Sequence, residues 1–270
     1  ELTKEYHVEK VEKFNVNISV DTPFYTGVAI LPSDRVMLVE TNNSQCILLN
    51  KSHQVVTKYQ LTGKPCDVCV VSDNEVAVSV YDQNKIQILS ISDDVISPSR
   101  TITTKYKCNG ITTAGKGEIV VVGDCGNDKY CWSLIRGGRE VNYSDQYDSK
   151  SGFCIYIALN NSKTRVYITV SCSINSLHCF NMEGKKLYKY SPDNLKCPVG
   201  VAVDRDDNIY VVGCASHNIH QLSPEGCLIK VITTGVPHNP WAISFYNSSN
   251  TFIITNNSNE REKVHIFQLK

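Results

Sequence analysis

The chain has 270 residues, with 27 Lys plus Arg against 27 Asp plus Glu and a formal charge of zero. That balance argues against a protein held on nucleic acid by overall charge, and it leaves room for a local basic patch. A chain of this length buries about three quarters of its unfolded surface without a metal or disulfide staple, and no apolar run approaches the ~20 residues that span a bilayer.

The sequence opens on Glu1 and has only two methionines, Met37 and Met182. A processed form or an excerpt is therefore expected. Twelve cysteines and seven Asn-x-Ser sequons, at Asn17, Asn42, Asn50, Asn142, Asn160, Asn247 and Asn256, suit a secreted protein. However, Cys154, Cys179 and Cys214 sit in β-rich runs, where a free thiol packs as a small hydrophobe. The favoured reading is a reduced, cytoplasmic protein, with secretion as the alternative.

In chain order, residues 7–16 (HVEKVEKFNV) read as one strand, and six similar units follow. The units align at Gly27 in YTGVAI, Asp67 in PCDVCV, Gly110 in CNGITT, Cys154 in GFCIYI, Gly200 in PVGVAV and Ala242 in PWAISF. Successive intervals are 40, 43, 44, 46 and 42 residues. GVAILPSDRVMLVE, DVCVVSDNEVAVSV and GVAVDRDDNIYVVG each show two β-branched runs joined by a polar turn. A third strand (QCILLN, KIQILSI, HCFNM, NIHQLS) and a fourth (VVTKYQL, SRTITTKYK, KKLYKYS, CLIKVIT) complete the units. Four strands per forty-odd residues is the period of a propeller blade. The last unit ends at VHIFQLK, its third strand. Residues 7–16 are expected to supply its fourth, removing the free edge. The prediction is one all-β domain over 1–270, a six-bladed propeller with blades starting near 25, 65, 108, 152, 198 and 240.

The pattern P-x-G-V-A-V, D-N-I-Y-V, N-x-I-x-x-L-S-x-E-G between Pro198 and Gly226 resembles the NHL repeat. The order of units and the ending YNSSNTFIITN…KVHIFQLK resemble the C-terminal propeller of tripartite-motif-like proteins. The third unit, with DCGNDKYCWSLIRGG, departs most. The resemblance implies a domain that selects a protein or RNA target for a ubiquitin ligase, following RING, B-box and coiled-coil segments absent from these residues.

Chemistry-bearing motifs are sparse. Cys66 and Cys69 form one CxxC without a second, and strand alternation sends them to opposite faces. Asp204–Asn208 (DRDDN) lacks the Gly and Glu of a calcium loop and reads as a turn. Arg136-Gly-Gly-Arg139 reads as a hairpin. A metal in the channel would need ligands repeated on the innermost strands, where only Asp67 qualifies, with Asn109 and His238 in nearby loops. The expectation is a binding module that is not an enzyme and takes no cofactor. A secreted lectin-like propeller or a channel-metal enzyme is the alternative.

Loops leading into the innermost strands gather round one mouth of such a ring. They carry Lys64, Lys107, Lys150, Lys196 and His238, with Phe24, Tyr25 and Trp241 beside them. Asn109 and, from a neighbouring turn, His217 join the candidate set. Converging cations with aromatics suit an anionic partner. A protein target is favoured, single-stranded RNA is the second candidate, and no membrane partner is expected.

Overall fold

The computed structural model describes residues 7–18, 22–144, 147–148, 156–171 and 174–270. Strand β1 is Val8–Asn15. Blade 1 is β2 Tyr25–Ile30, β3 Val36–Glu40, β4 Gln45–Leu49 and β5 Val55–Gln60. Blade 2 is β6 Pro65–Ser72, β7 Glu75–Val80, β8 Lys85–Ser92 and β9 Val95–Thr103. Blade 3 is β10 Lys107–Gly115, β11 Glu118–Gly126, β12 Lys129–Arg136 and β13 Arg139–Tyr143, with a short β14, Tyr147–Asp148, also on β12. Blade 4 is β15 Ile157–Leu159, β16 Arg165–Val170, β17 Ser176–Asn181 and β18 Lys186–Tyr190. Blade 5 is β19 Pro198–Val203, β20 Ile209–Gly213, β21 Asn218–Leu222 and β22 Leu228–Ile232. Blade 6 is β23 Pro240–Phe245, β24 Thr251–Asn256 and β25 Lys263–Leu269.

These six antiparallel sheets form a six-bladed all-β propeller. β1 pairs with β25 as the outer strand of blade 6, so the first strand of the chain closes the ring onto the last. No described helix is long and apolar enough to cross a membrane. The starting point expected for blade 4, near 152, and the position aligned as Cys154 lie outside the described residues.

Strand alternation lets each blade bury both faces against its neighbours. Between blades 5 and 6, for example, Val199, Val211, Ile219, Phe252, Ile254 and Phe267 share one apolar cluster. Each such side chain contributes about 1.5–3 kcal/mol by leaving water.

A second device ties the blades at the channel. The register slips at the start of β2, β6, β10, β19 and β23, at Tyr25/Gly27, Pro65/Asp67, Cys108/Ile111, Pro198/Val201 and Pro240/Ile243. Such a bulge turns backbone groups out of the ladder, and hydroxyls of the preceding blade take several of them. Thr41 donates to the Pro65 carbonyl (2.7 Å), Ser79 to Asn109 (2.6 Å), Thr169 to Val199 (2.7 Å) and Thr255 to Tyr25 (2.8 Å). Ser79, Thr169 and Thr255 also accept an N–H from their own inner strand, from Asp67, Tyr156 and Ala242 respectively. Tyr156 therefore plays in blade 4 the part that Asp67 and Ala242 play in theirs.

The turn readings match the backbone. Asp204 accepts N–H groups from Asp206 and Asn208, the Asn208 side-chain amide and the Tyr210 hydroxyl, fixing DRDDN as a hairpin turn. Gly137 and Gly138 both have positive φ, which a two-residue hairpin needs, and they join β12 to β13. Cys125 and Cys131 form a disulfide within blade 3, which departs from the favoured reading of a reduced protein. Cys46, Cys69, Cys108 and Cys179 are buried thiols.

Candidate functional site

Three lysines expected on the loop face are exposed there. Lys64 has its backbone pinned, its N–H donating to Asp82 Oδ1 (2.8 Å) and its carbonyl accepting from Tyr81. The Lys107 ammonium sits 5.3 Å from the centre of the Tyr81 ring. Lys196 donates its backbone N–H to Ser216 Oγ (3.0 Å). Lys64 and Lys196 thus have fixed backbones, while the Lys107 ammonium rests over an aromatic ring. Among the described residues none of the three forms an ion pair, whereas Arg35, Arg100 and Arg136 each face a carboxylate. Lys150 lies outside the described residues.

The remaining candidates come together in two pairs. His217 and His238 meet edge to face with centroids 4.8 Å apart, and His217 Nδ1 accepts the Asn239 N–H (3.0 Å). Phe24 packs edge-on against Trp241 at 4.7 Å. Tyr25 does not join them. It is fully buried in the cluster between blades 1 and 6, so its expected role as a contact residue is corrected. Every residue of β2 is buried, because an inner strand is covered on both faces and alternation no longer points every second side chain outward. Asn109 is half-buried, and its carbonyl holds the Ser79 hydroxyl.

Trp241 is also more constrained than an exposed anchor. Its indole N–H donates to the Tyr156 hydroxyl (2.6 Å), and that hydroxyl donates to the Thr26 carbonyl (2.7 Å). Tyr156 belongs to blade 4 and Thr26 to blade 1, on opposite sides of a six-membered ring. The two aromatics therefore bar the channel at the loop face. Sequence reasoning passed over Tyr156, which in GFCIYI looks like any core aromatic.

Towards the other mouth, the channel holds a cavity of about 410 Å³. Its walls include Asp67, Thr112, Thr113, Tyr156, Lys163 and Ser244. Asp67 Oδ1 accepts the Val68 N–H (2.9 Å) and Oδ2 the Ile111 N–H of the next blade (3.0 Å). Burial pushes the Asp67 carboxyl up to about 7, against the pull of those two N–H groups. Lys163, in the turn after β15, is half-buried; desolvation holds its ammonium below the usual lysine range, with Asp207 opposing. No loop-face reading could find Lys163, because it follows an inner strand instead of preceding one.

No family model and no curated protein matches the chain. Solved structures do. A virginiamycin B lyase from Staphylococcus aureus is similar at 17% identity and TM-score 0.67, over 98% of this chain and 100% of that one. A streptogramin B lyase is similar at 15% identity and TM-score 0.69, over 98% of each chain. A luciferin-regenerating enzyme is similar at 12% identity and TM-score 0.68, over 98% of this chain and 95% of that one. At these identities the likeness establishes the fold and carries no activity across. It does overturn the expectation that the chain is not an enzyme, since rings matching it nearly end to end are enzymes. What the comparisons establish about this chain is its six-bladed propeller fold.

Proposed function

We propose that the ring recognises a protein target across its loop face, with an acidic stretch of the target lying over the barred mouth of the channel. The observation that supports this reading is the set of exposed, unpaired ammonium groups of Lys64, Lys107 and Lys196 on one rim of a neutral molecule. Phe24 and Trp241 add aromatic contact area beside them, and His217 and His238 add a polar edge. Attraction of this kind acts within about 8 Å at physiological salt, so it selects a partner that already fits the rim. A zero net charge gives little general pull on a polyphosphate chain, which favours protein over RNA. The NHL-like repeat pattern supports the more specific role of choosing the protein that a tripartite-motif-like ubiquitin ligase modifies.

The test is anisotropy of a labelled acidic peptide and a labelled single-stranded RNA across a salt series. The parent is compared with a variant carrying Lys64→Glu, Lys107→Glu and Lys196→Glu. The expected result is salt-sensitive peptide binding that the variant loses. Peptide binding unchanged in the variant, or none at low salt, would sink the reading. Preferential RNA binding lost in the variant would replace the protein by RNA.

A further inference from the structure

A second cavity, of about 630 Å³, opens beside the rim at the seam between blades 5 and 6. Its walls are the loop before β23 (Gly235 to Asn239), the turn between β24 and β25 (Asn257 to Arg261), Lys10 of β1 and His265 of β25. These are the loop classes that form the loop face, so the cavity opens on that face.

His265 is the unusual member. Only 3% of it is exposed, yet neither ring nitrogen has a hydrogen-bond partner. Leaving a buried polar group unmet costs about 1–3 kcal/mol. A ligand entering the cavity would meet that need.

The surrounding charge decides what ligand fits. Arg261 is anchored through Nε–H to the Ser258 carbonyl (3.0 Å), which leaves its other guanidinium N–H groups for a ligand. Lys10 is held with its stem against the loop, where a Cβ on Gly235 would stand 3.2 Å from Lys10 Cβ. Desolvation first, then the neighbouring Lys13, holds the Lys10 ammonium below its usual range. Glu260 is the one carboxylate among the lining residues, and Lys263 takes it. The groups acting electrostatically on His265 are Lys10, Lys13, Lys263 and Glu260. Cationic groups thus crowd a cavity with one neutralised anion, and a buried imidazole waits inside it.

We infer that this seam pocket binds a phosphate monoester, gripped by Arg261 and Lys10 and hydrogen-bonded by His265. A phosphate monoester carries about −1.5 to −2 charge and three acceptor oxygens, which matches two cations and an imidazole donor better than a single carboxylate does. The pocket adjoins the face proposed to meet a protein, so the carrier is a phosphorylated serine or threonine of that protein. In naming this carrier, the inference rests on the proposed function.

The experiment follows the His265 ring signals by NMR during titration with inorganic phosphate, a phosphoserine heptapeptide and its unphosphorylated twin. Arg261→Ala, which leaves the buried packing untouched, is run beside the parent, and His265→Gln serves to assign the His265 signals by their loss. The expected result is saturable movement of the His265 signals by the phosphopeptide, with Arg261→Ala and the unphosphorylated peptide each weaker by at least about tenfold. Binding should persist in the Lys64, Lys107 and Lys196 triple variant, so failure of the rim and failure of the pocket are read separately. Signals unmoved by phosphate and phosphopeptide, or Arg261→Ala binding like the parent, overturn the site. Response to inorganic phosphate but not to the phosphopeptide overturns the protein carrier.

Discussion

The two ends of the channel are built by the same six strands and differ completely. At the loop face, Tyr156 reaches from blade 4 to blade 1, and Trp241 braces it. At the other end a cavity of about 410 Å³ stays open, with a buried carboxylate in its wall and a lysine among its lining residues. The cause lies in how the strands begin. Hydroxyl latches and bulges draw their starting ends together, so that a Cβ on Gly27 would stand 2.8 Å from Asp67 Cα, and one on Gly200 would run into the Trp241 carbonyl oxygen. The strand ends pass into polar turns that are bonded from blade to blade by other groups, Asn161 to Asp207 and Ser248 to Asp34, without the bulge-and-latch arrangement of the strand starts. A ring of repeated blades therefore has unlike mouths, and a few side chains decide which is closed.

The largest effect should come from cutting a latch at the closed end. Thr255→Val keeps the shape of the side chain but strands the Ala242 N–H and the Tyr25 carbonyl, both buried. The expected loss is about 3 kcal/mol in urea unfolding. A loss below about 0.5 kcal/mol would mean that the latch does not hold the strand starts together.

Next in size is the pH response of the channel wall. The folded state holds the Asp67 proton up to about pH 7, far above the ordinary carboxyl value. Stability from this group is therefore complete below the unfolded pKa and is lost as pH rises through about 7. Between pH 4 and 7.5 the parent should lose stability progressively relative to Asp67→Asn. Parallel stability curves for the two proteins would mean that the carboxyl is better solvated than its burial implies.

Blade 5 was almost wholly legible in the sequence, because its turns are written in residues with one conformational use: Asp204 to Asn208 caps itself, and Val201, Val203, Ile209, Val211 and Val212 can only be strand. The closing strand was legible too, since blade 6 lacks a fourth strand without it. The functional residues read less well. Tyr25 and Tyr156 are both inner-strand tyrosines, and nothing in YTGVAI or GFCIYI says that one is sealed in a core while the other crosses a channel. That difference depends on which blade stands opposite, a fact of ring closure that no single repeat contains. Lys163 and His265 escaped because their roles come from cavities formed between blades.

A smaller effect is expected from unbarring the closed mouth. Tyr156→Phe removes the bond to the Thr26 carbonyl and the acceptor for the Trp241 indole. The expected cost is about 1–2 kcal/mol, with increased acrylamide quenching of Trp241. Trp132 is fully buried and should not respond. Unchanged quenching would show the mouth closed by backbone packing alone.

The smallest effect belongs to the open end, and it tests whether that mouth is truly drier than bulk water. Desolvation lowers the Lys163 pKa while Asp207 raises it. Lys163→Gln should shift stability by less than about 0.5 kcal/mol, since the side chain is only half-buried. The informative measurement is the titration of the Lys163 ammonium itself. Its midpoint should fall below the ordinary lysine value, and Asp207→Asn should lower it again by removing the one charge that favours the protonated form. A midpoint at the ordinary value in the parent would mean that water fills the mouth as freely as it covers the rim. The two ends would then differ in shape alone, and no longer in the environment they offer a charge.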